Sequence, residues 1–292
     1  MIGVIGAGTI GTGVAQSLSQ AEHKVVLVDT SADALERARA EIRRAVRFQR
    51  LVAPDLPVHE PAEVLDRITF TRDPEELAAA GVVIENVSER WSAKESVYRA
   101  LDRICEPASV FVVNTSCFPI TEVAALTARP AQVVGVHFMN PVPLKPVVEL
   151  IPGWHTAPAT IEAVQSLLAS MGKRSIAVKD SPGFVSNRVL MLTVNEAVFC
   201  RAEGIASAEA IDDLFRGCFG HEMGPLETAD LIGVDTILHS LEVLHERFGD
   251  SKYRPCPLLR TMVSAGLLGR KSGEGFHHYG TAGERRPLPE GV

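Results

Sequence analysis

The feature that most constrains the fold is Gly6-Ala-Gly8-Thr-Ile-Gly11, which follows the apolar run Met1-Ile-Gly-Val-Ile5 directly and opens a helical pattern. Glycines at this spacing meet a steric requirement of a strand that turns into a helix around a phosphate. Gly6 makes the tight turn, Gly8 lets the backbone approach a pyrophosphate, and Gly11 lets helix and strand pack closely. The backbone of Gly6, Gly8, Thr9, Ile10 and Gly11 then offers free N–H groups and the positive partial charge of a helix N-terminus. GxGxxG alone is weak evidence. Here a second strand leads to Asp29, near the position roughly 20 residues on where an acid binds the ribose. A carboxylate there accepts from the 2′-hydroxyl and repels a 2′-phosphate, and no arginine follows at once, so NAD is expected rather than NADP.

Short β-branched runs at Ile2 to Ile5, Lys24 to Val28, Val82 to Glu85, Val110 to Asn114, Val133 to His137 and Ser175 to Val178 alternate with helical stretches. Those stretches are Ile10 to Gln20, Ala32 to Leu51, Ala93 to Ile104, Ile120 to Leu126 and Thr160 to Met171. The alternation predicts a doubly wound, mostly parallel sheet of Rossmann type. Between Gly135 and Ile151 two apolar segments are joined by Asn140-Pro-Val-Pro-Leu-Lys-Pro146, which leaves no room for a crossover helix and predicts a hairpin. After Asp180-Ser-Pro-Gly183 the strand signal stops. Helices are expected over Phe184 to Glu203, Ser207 to Phe219, Leu226 to Phe248 with a break at Gly233, and Leu258 to Leu268. The chain of 292 residues thus reads as an α/β protein with a Rossmann domain over 1–181, an all-α domain over 182–280 started by Pro182, and a disordered tail over 281–292.

Composition removes several function classes. With 29 basic against 36 acidic side chains and no long basic block, nucleic acid is not expected as a partner. The longest apolar runs are strand-sized, so no membrane span is expected. Five cysteines, widely spaced and without a CxxC, suggest neither a disulfide framework nor a metal site. The first residues read as a strand rather than a basic leader, and a cytoplasmic location is expected.

His137 ends an apolar strand at the edge where α/β sheets bind ligands. Alone, such a histidine is more often structural. With the hairpin centred on Pro143, however, Glu149 faces it, and a carboxylate on one imidazole nitrogen makes the other a stronger base. The pair is also compatible with a structural ion pair. Asn187 stands on an otherwise apolar helical face with Leu190, Met191 and Val194, so its amide needs a partner, either backbone or substrate. Ser116 follows Val112-Val-Asn-Thr115 at another strand end, where it is either a ligand contact or an ordinary N-cap for the helix near Ile120. Cys117 has no thiolate-stabilising neighbour in the pattern and reads as packing.

These residues resemble the 3-hydroxyacyl-CoA dehydrogenase family. The likeness runs through Gly6 to Gly11, Val83-Ile-Glu85 with Glu89 and Lys94, Asn114-Thr-Ser116, His137-Phe-Met-Asn-Pro-Val-Pro143 with Val148-Glu149, Pro182-Gly-Phe-Val-Ser-Asn-Arg188, Gly224 to Thr236 and Gly269 to Phe276. The resemblance implies an NAD-dependent dehydrogenase of 3-hydroxyacyl thioesters in which His137 and Glu149 form the catalytic pair and Ser116 and Asn187 contact the reacting oxygen or thioester. It also implies that Glu89, Lys94, Ser116, Asn140 and Lys271 line the cofactor site, with Asp29 on the ribose. A homodimer through the C-terminal helical domain is implied as well.

The family reads the nucleotide of coenzyme A partly through a basic helical hairpin. Here Arg43, Arg47 and Arg50 form one helix face, a solvated face on the simplest reading, and the following Leu51 to Pro61 lacks lysines and carries three prolines. Arg90-Trp91 and Phe118-Pro119 also depart from the usual residues and are similar to dehydrogenases acting on carrier-bound glyceryl groups in polyketide extender-unit pathways. An acyl-carrier protein is therefore an alternative handle to acyl-CoA, a free hydroxy acid such as a sugar acid a further alternative substrate, and a crystallin-like structural role the alternative from another class.

Overall fold

Strand β1 (Ile2–Ile5) is apolar on both faces and pairs in parallel with β2 (Val25–Val28) on one side and β4 (Val82–Glu85) on the other. A computed structural model describes residues 1–280 together with Arg285 and Arg286. Its sheet continues through β3 (Ile68–Thr71), β5 (Val110–Val113), β6 (Val133–His137), β7 (Val147–Pro152) and β8 (Arg174–Ala177), in the order β3-β2-β1-β4-β5-β6-β7-β8. The first six follow the Rossmann order, which reverses direction between β1 and β4 and so leaves a crevice at the carboxyl ends of those strands. Helices α1 (Thr9–Gln20), α2 (Ala32–Val52), α3 (Pro61–Asp66), α4 (Trp91–Ile104), α5 (Ile120–Ala124) and α6 (Pro158–Ser170) connect the strands. Val4, Val14, Leu18, Leu27, Ile42, Val134 and Leu150 lie in one buried cluster of this unit.

β6 and β7 pair antiparallel, as the proline-rich connection requires, and their register sets His137 opposite Glu149. Two elements of this unit were not expected. β3 is an Ile-Thr-Phe-Thr segment of which only Ile68 is buried, because it forms the sheet edge beyond β2. Its weak apolar signal lies just behind α3, which Pro61 starts.

The chain divides into two units between Ser181 and Pro182. In the second, α7 (Ser186–Ala202), α8 (Ala208–Phe219), α9 (Pro225–Ile232), α10 (Val234–Phe248) and α11 (Pro257–Ser264) enclose Val194, Val198, Leu226, Ile237, Leu241 and Leu259. α7 begins at Ser186 and not at Pro182, because Gly183 and Phe184 take left-handed backbone conformations at φ 75° and 48° that no helix can include. The sequence motifs of this unit are explained by two buried aspartates. Asp212 accepts from Leu226 N and Glu227 N at the start of α9, and Asp230 accepts from Phe276 N, His277 N and the Tyr279 hydroxyl. The expected tail over 281–292 lies outside the described residues except for β10 (Arg285–Arg286), which pairs with β9 (His278–Tyr279).

Lys173, between α6 and β8, is buried, and burial alone pulls its ammonium down from 10.5 to about 8. The folded protein therefore releases this proton at lower pH than the unfolded chain. Between about pH 8 and 10.5 the unfolded state binds more protons, so this group makes stability rise with pH there. Urea unfolding in that window should show wild type gaining stability relative to Lys173→Met, and parallel curves would contradict the burial effect.

Candidate active site

The glycine loop turns as its spacing demands. Gly6 sits at φ 96°, and a Cβ there would lie 2.6 Å from the Asn86 carbonyl oxygen. A Cβ at Gly11 would overlap the Gly6 carbonyl oxygen severely, whereas one at Gly8 would meet nothing within 4 Å. Gly6 and Gly11 are thus required by the protein itself, and Gly8 borders space. No side chain caps α1, so its first N–H groups remain available to an anion. Asp29 accepts from Ala7 N at 2.7 Å and Ser31 N at 2.9 Å, which fixes the carboxylate at the loop. A cleft of about 800 Å³ opens here, walled by Gly8, Thr9, Asp29, the near face of α2 and the segment from Asn140 to Leu144. Open space over Gly8, an uncapped helix and a fixed carboxylate fit a dinucleotide's pyrophosphate and ribose.

At the same sheet edge His137 Nδ1 lies 2.8 Å from Glu149 Oε2, both residues being buried. Ser116 Oγ lies 3.1 Å from His137 Nε2. A carboxylate on Nδ1 keeps the proton on that nitrogen and leaves the Nε2 lone pair facing the Ser116 hydroxyl. Ser116 is not an N-cap. The N-terminus of α5 is instead satisfied from 60 residues away, by Asp180, which accepts from Ile120 N, Thr121 N and the Thr121 hydroxyl.

Ser116 is held by Glu89. One Glu89 oxygen accepts from the Thr115 hydroxyl, from Ser116 N at 3.0 Å and from Cys117 N at 3.1 Å. Lys94, wholly buried, donates to both oxygens of Glu85 at 3.0 and 2.9 Å and to the Asn114 carbonyl at 2.9 Å, and approaches Glu89 at 3.5 Å. Burial pushes the Glu85 carboxyl above its usual range, against the pull of Lys94. Sequence reasoning gave Glu85 and Asp180 no role of their own. An acid ending an apolar strand was the available signal for Glu85; nothing local marked Asp180.

The remaining candidates fall in two places. Asn140 lines the cleft beside Asp29. Asn187 and Lys271 belong to the second unit: Asn187 is buried in the first turn of α7, and the Lys271 ammonium lies 2.6 Å from an Asp235 oxygen. Arg43 and Arg47 line a separate pocket of about 520 Å³ between α2 and α3 together with Arg39 and His59. The two departures noted in the sequence meet each other: the Trp91 and Phe118 rings make an edge contact with centroids 5.6 Å apart.

Residues 1–181 match the description 3-hydroxyacyl-CoA dehydrogenase, NAD binding domain, and residues 183–279 match the C-terminal domain of the same enzymes. The chain belongs to the 3-hydroxyacyl-CoA dehydrogenase family. It is 45% identical over 276 residues to a probable 3-hydroxybutyryl-CoA dehydrogenase of Bacillus subtilis, covering 94% of this chain and 96% of that one. To the 3-hydroxybutyryl-CoA dehydrogenase of Bradyrhizobium diazoefficiens it is 42% identical over 289 residues, 99% and 97% of the two chains. Among solved structures it resembles the (S)-3-hydroxybutyryl-CoA dehydrogenase PaaH1 of Ralstonia eutropha, with a TM-score of 0.88, 40% identity and coverage of 96% and 99%. The FadB2 structure of M. tuberculosis gives a TM-score of 0.91 at 34% identity, covering 96% and 98%. As a member of this family the protein is an NAD-dependent oxidoreductase acting on CH–OH.

Two predictions follow from the loop and the buried pair. Gly8→Ala should leave the urea midpoint unchanged and weaken NADH binding roughly tenfold or more, about 1.4 kcal/mol, while Gly11→Ala should lose stability first; calorimetry and fluorescence titration of both variants separate the two glycines. Lys94→Met strands the Glu85 carboxylate and should cost about 3–5 kcal/mol in urea unfolding, part of which Glu85→Leu in the same chain restores.

Proposed function

We propose that the protein oxidises the 3-hydroxyl of a short 3-hydroxyacyl-CoA, such as 3-hydroxybutyryl-CoA, to the 3-oxoacyl thioester with NAD⁺, and catalyses the reverse. The observation that carries this reading is the His137 imidazole held at Nδ1 by Glu149 with Nε2 turned to Ser116 Oγ. When bound, NAD⁺ supplies the acceptor for the hydride that leaves C3. The chain's own residues handle the proton. The substrate hydroxyl takes its place beside Ser116, His137 Nε2 receives the hydroxyl proton as the C3–H bond breaks, and Glu149 stabilises the imidazolium. In reduction the protonated imidazole returns that proton to the oxygen. Ser116 orients the reacting oxygen. Asn187 is assigned to the same oxygen or the thioester, and Asp29, Glu89, Lys94, Asn140 and Lys271 to the dinucleotide. Because Lys94 is wholly buried, its part is to hold Glu89.

Coenzyme A as the handle is supported by the names of the relatives at 42–45% identity. Trp91 and Phe118, one from each of the two departures, make an edge contact, so the departures form one packing feature. The helical unit exposes the apolar side chains Val185, Val189, Ile205, Leu214, Phe219 and Leu231, which supports a homodimer through this unit. Five free cysteines, three of them buried, support a reducing cytoplasm.

The test is NADH oxidation with acetoacetyl-CoA. Wild type should turn over, and His137→Gln should lose about 10²–10⁴-fold in kcat, the range for removal of a general acid–base, with NADH affinity kept. Near-normal turnover by that variant, or none by wild type, contradicts the assignment.

A further inference from the structure

Lys173 is a buried cation without a counter-ion. Only 5% of it is exposed, and no carboxylate pairs with its ammonium among the described residues. Nζ donates instead to two backbone carbonyls, Val142 O at 2.6 Å and Lys145 O at 3.1 Å. A charge taken out of water and met only by neutral dipoles is a net cost to folding. A contribution to stability therefore does not account for it.

Both carbonyls belong to the segment joining β6 to β7, and Asn140 to Leu144 of that segment wall the cleft beside the glycine loop. Val142 also packs on α1, where a Cβ added at Gly13 would lie 2.9 Å from the Val142 Cβ. One ammonium thus ties the outer wall of the cleft to the end of α6, and fixes it against the helix whose N-terminus faces the phosphates. We propose that Lys173 is a positioning residue for the dinucleotide, clamping the 140–145 segment so that the cleft keeps the width the cofactor needs. The proposal rests on the reading of that cleft as the NAD site, and it assigns Lys173 no contact with substrate or cofactor.

The test compares Lys173→Met with Val164→Ala, a cavity in the buried face of α6, the helix that precedes Lys173, which removes no hydrogen bond to the segment. Lys173→Met should raise the NADH Kd and the KM for NADH roughly tenfold, leave kcat with acetoacetyl-CoA nearly unchanged, and keep or raise the urea midpoint at pH 7, because an apolar chain of similar volume replaces a buried charge. Amide exchange at Val142, Leu144 and Lys145 should accelerate. Val164→Ala should lower the urea midpoint and leave the NADH Kd alone. An unchanged Kd in Lys173→Met overturns the proposal, as does an equal rise in Val164→Ala, which would mark general destabilisation. If Lys173→Met does not fold, Lys173→Gln is judged by the same Kd criterion. Absence of saturable NADH binding by wild type is a separate outcome that overturns the cofactor reading itself, and this proposal with it.

Discussion

The hydrogen bond from His137 to Glu149 depends on the register of one hairpin, and the rest of the site is arranged around it. In a parallel sheet the carboxyl ends of the strands share an edge. A strand that runs the opposite way brings its beginning to that edge, which is how Glu149, near the start of β7, meets His137 at the end of β6. Ser116 arrives from β5, the other neighbour of β6. A slip of one residue in the β6–β7 pairing would turn Glu149 to the opposite face and leave the imidazole without its partner. The short Asn140 to Pro146 connection, clamped by Lys173, opposes that slip.

Carboxylates hold most of the loops that matter in this chain. Glu89 gathers Ser116 N and Cys117 N, Asp180 gathers Ile120 N and Thr121 N, Asp29 gathers Ala7 N and Ser31 N, and Asp212 gathers Leu226 N and Glu227 N. Backbone N–H groups at turns and helix starts lack intrahelical partners, so an acid that bonds two of them fixes the turn, and those bonds offset part of what its own desolvation costs. The same comparison separates two carboxylate–imidazole pairs. His277 Nε2 lies 2.6 Å from Asp212, whose oxygens already hold the start of α9, and its surroundings are core. His137 ends a strand at the ligand-binding edge with its second nitrogen on a hydroxyl. Similar side chains hold structure in one unit and, on the proposed reading, carry acid–base chemistry in the other, because of where the sheet ends.

Much of this was legible in the sequence because it is local. The glycine loop, the strand and helix alternation and the hairpin each follow from spacing within about thirty residues, the length of a βαβ unit. What was not legible depends on distant partners. Ser116 stayed open between a ligand contact and an N-cap because nothing in its neighbourhood reveals that Asp180 already holds the start of α5. β3 escaped notice because an edge strand needs only one buried residue, and Ile-Thr-Phe-Thr carries too little apolar signal next to a proline-rich segment. Pro182 looked like a helix start, and the left-handed turn at Gly183 and Phe184 delays α7 to Ser186.

The arginines of α2 show the same limit in a helix. Spacing places Arg43, Arg47 and Arg50 on one face, but spacing does not say which face meets a ligand. At 100° per residue, roughly, Arg43 and Ala45 lie nearly opposite each other on the wheel. It is the Ala45 side, with Arg37, Glu41, Arg44 and Gln49, that borders the glycine-loop cleft, while Arg39, Arg43 and Arg47 border α3. Those cleft-side residues carry both signs of charge. On the proposed reading a dinucleotide in the cleft is held by the helix N-terminus, Asp29 and the shape of the 140–144 wall more than by a basic surface, and the energetic burden falls on the open space over Gly8 and on the segment that Lys173 is proposed to clamp.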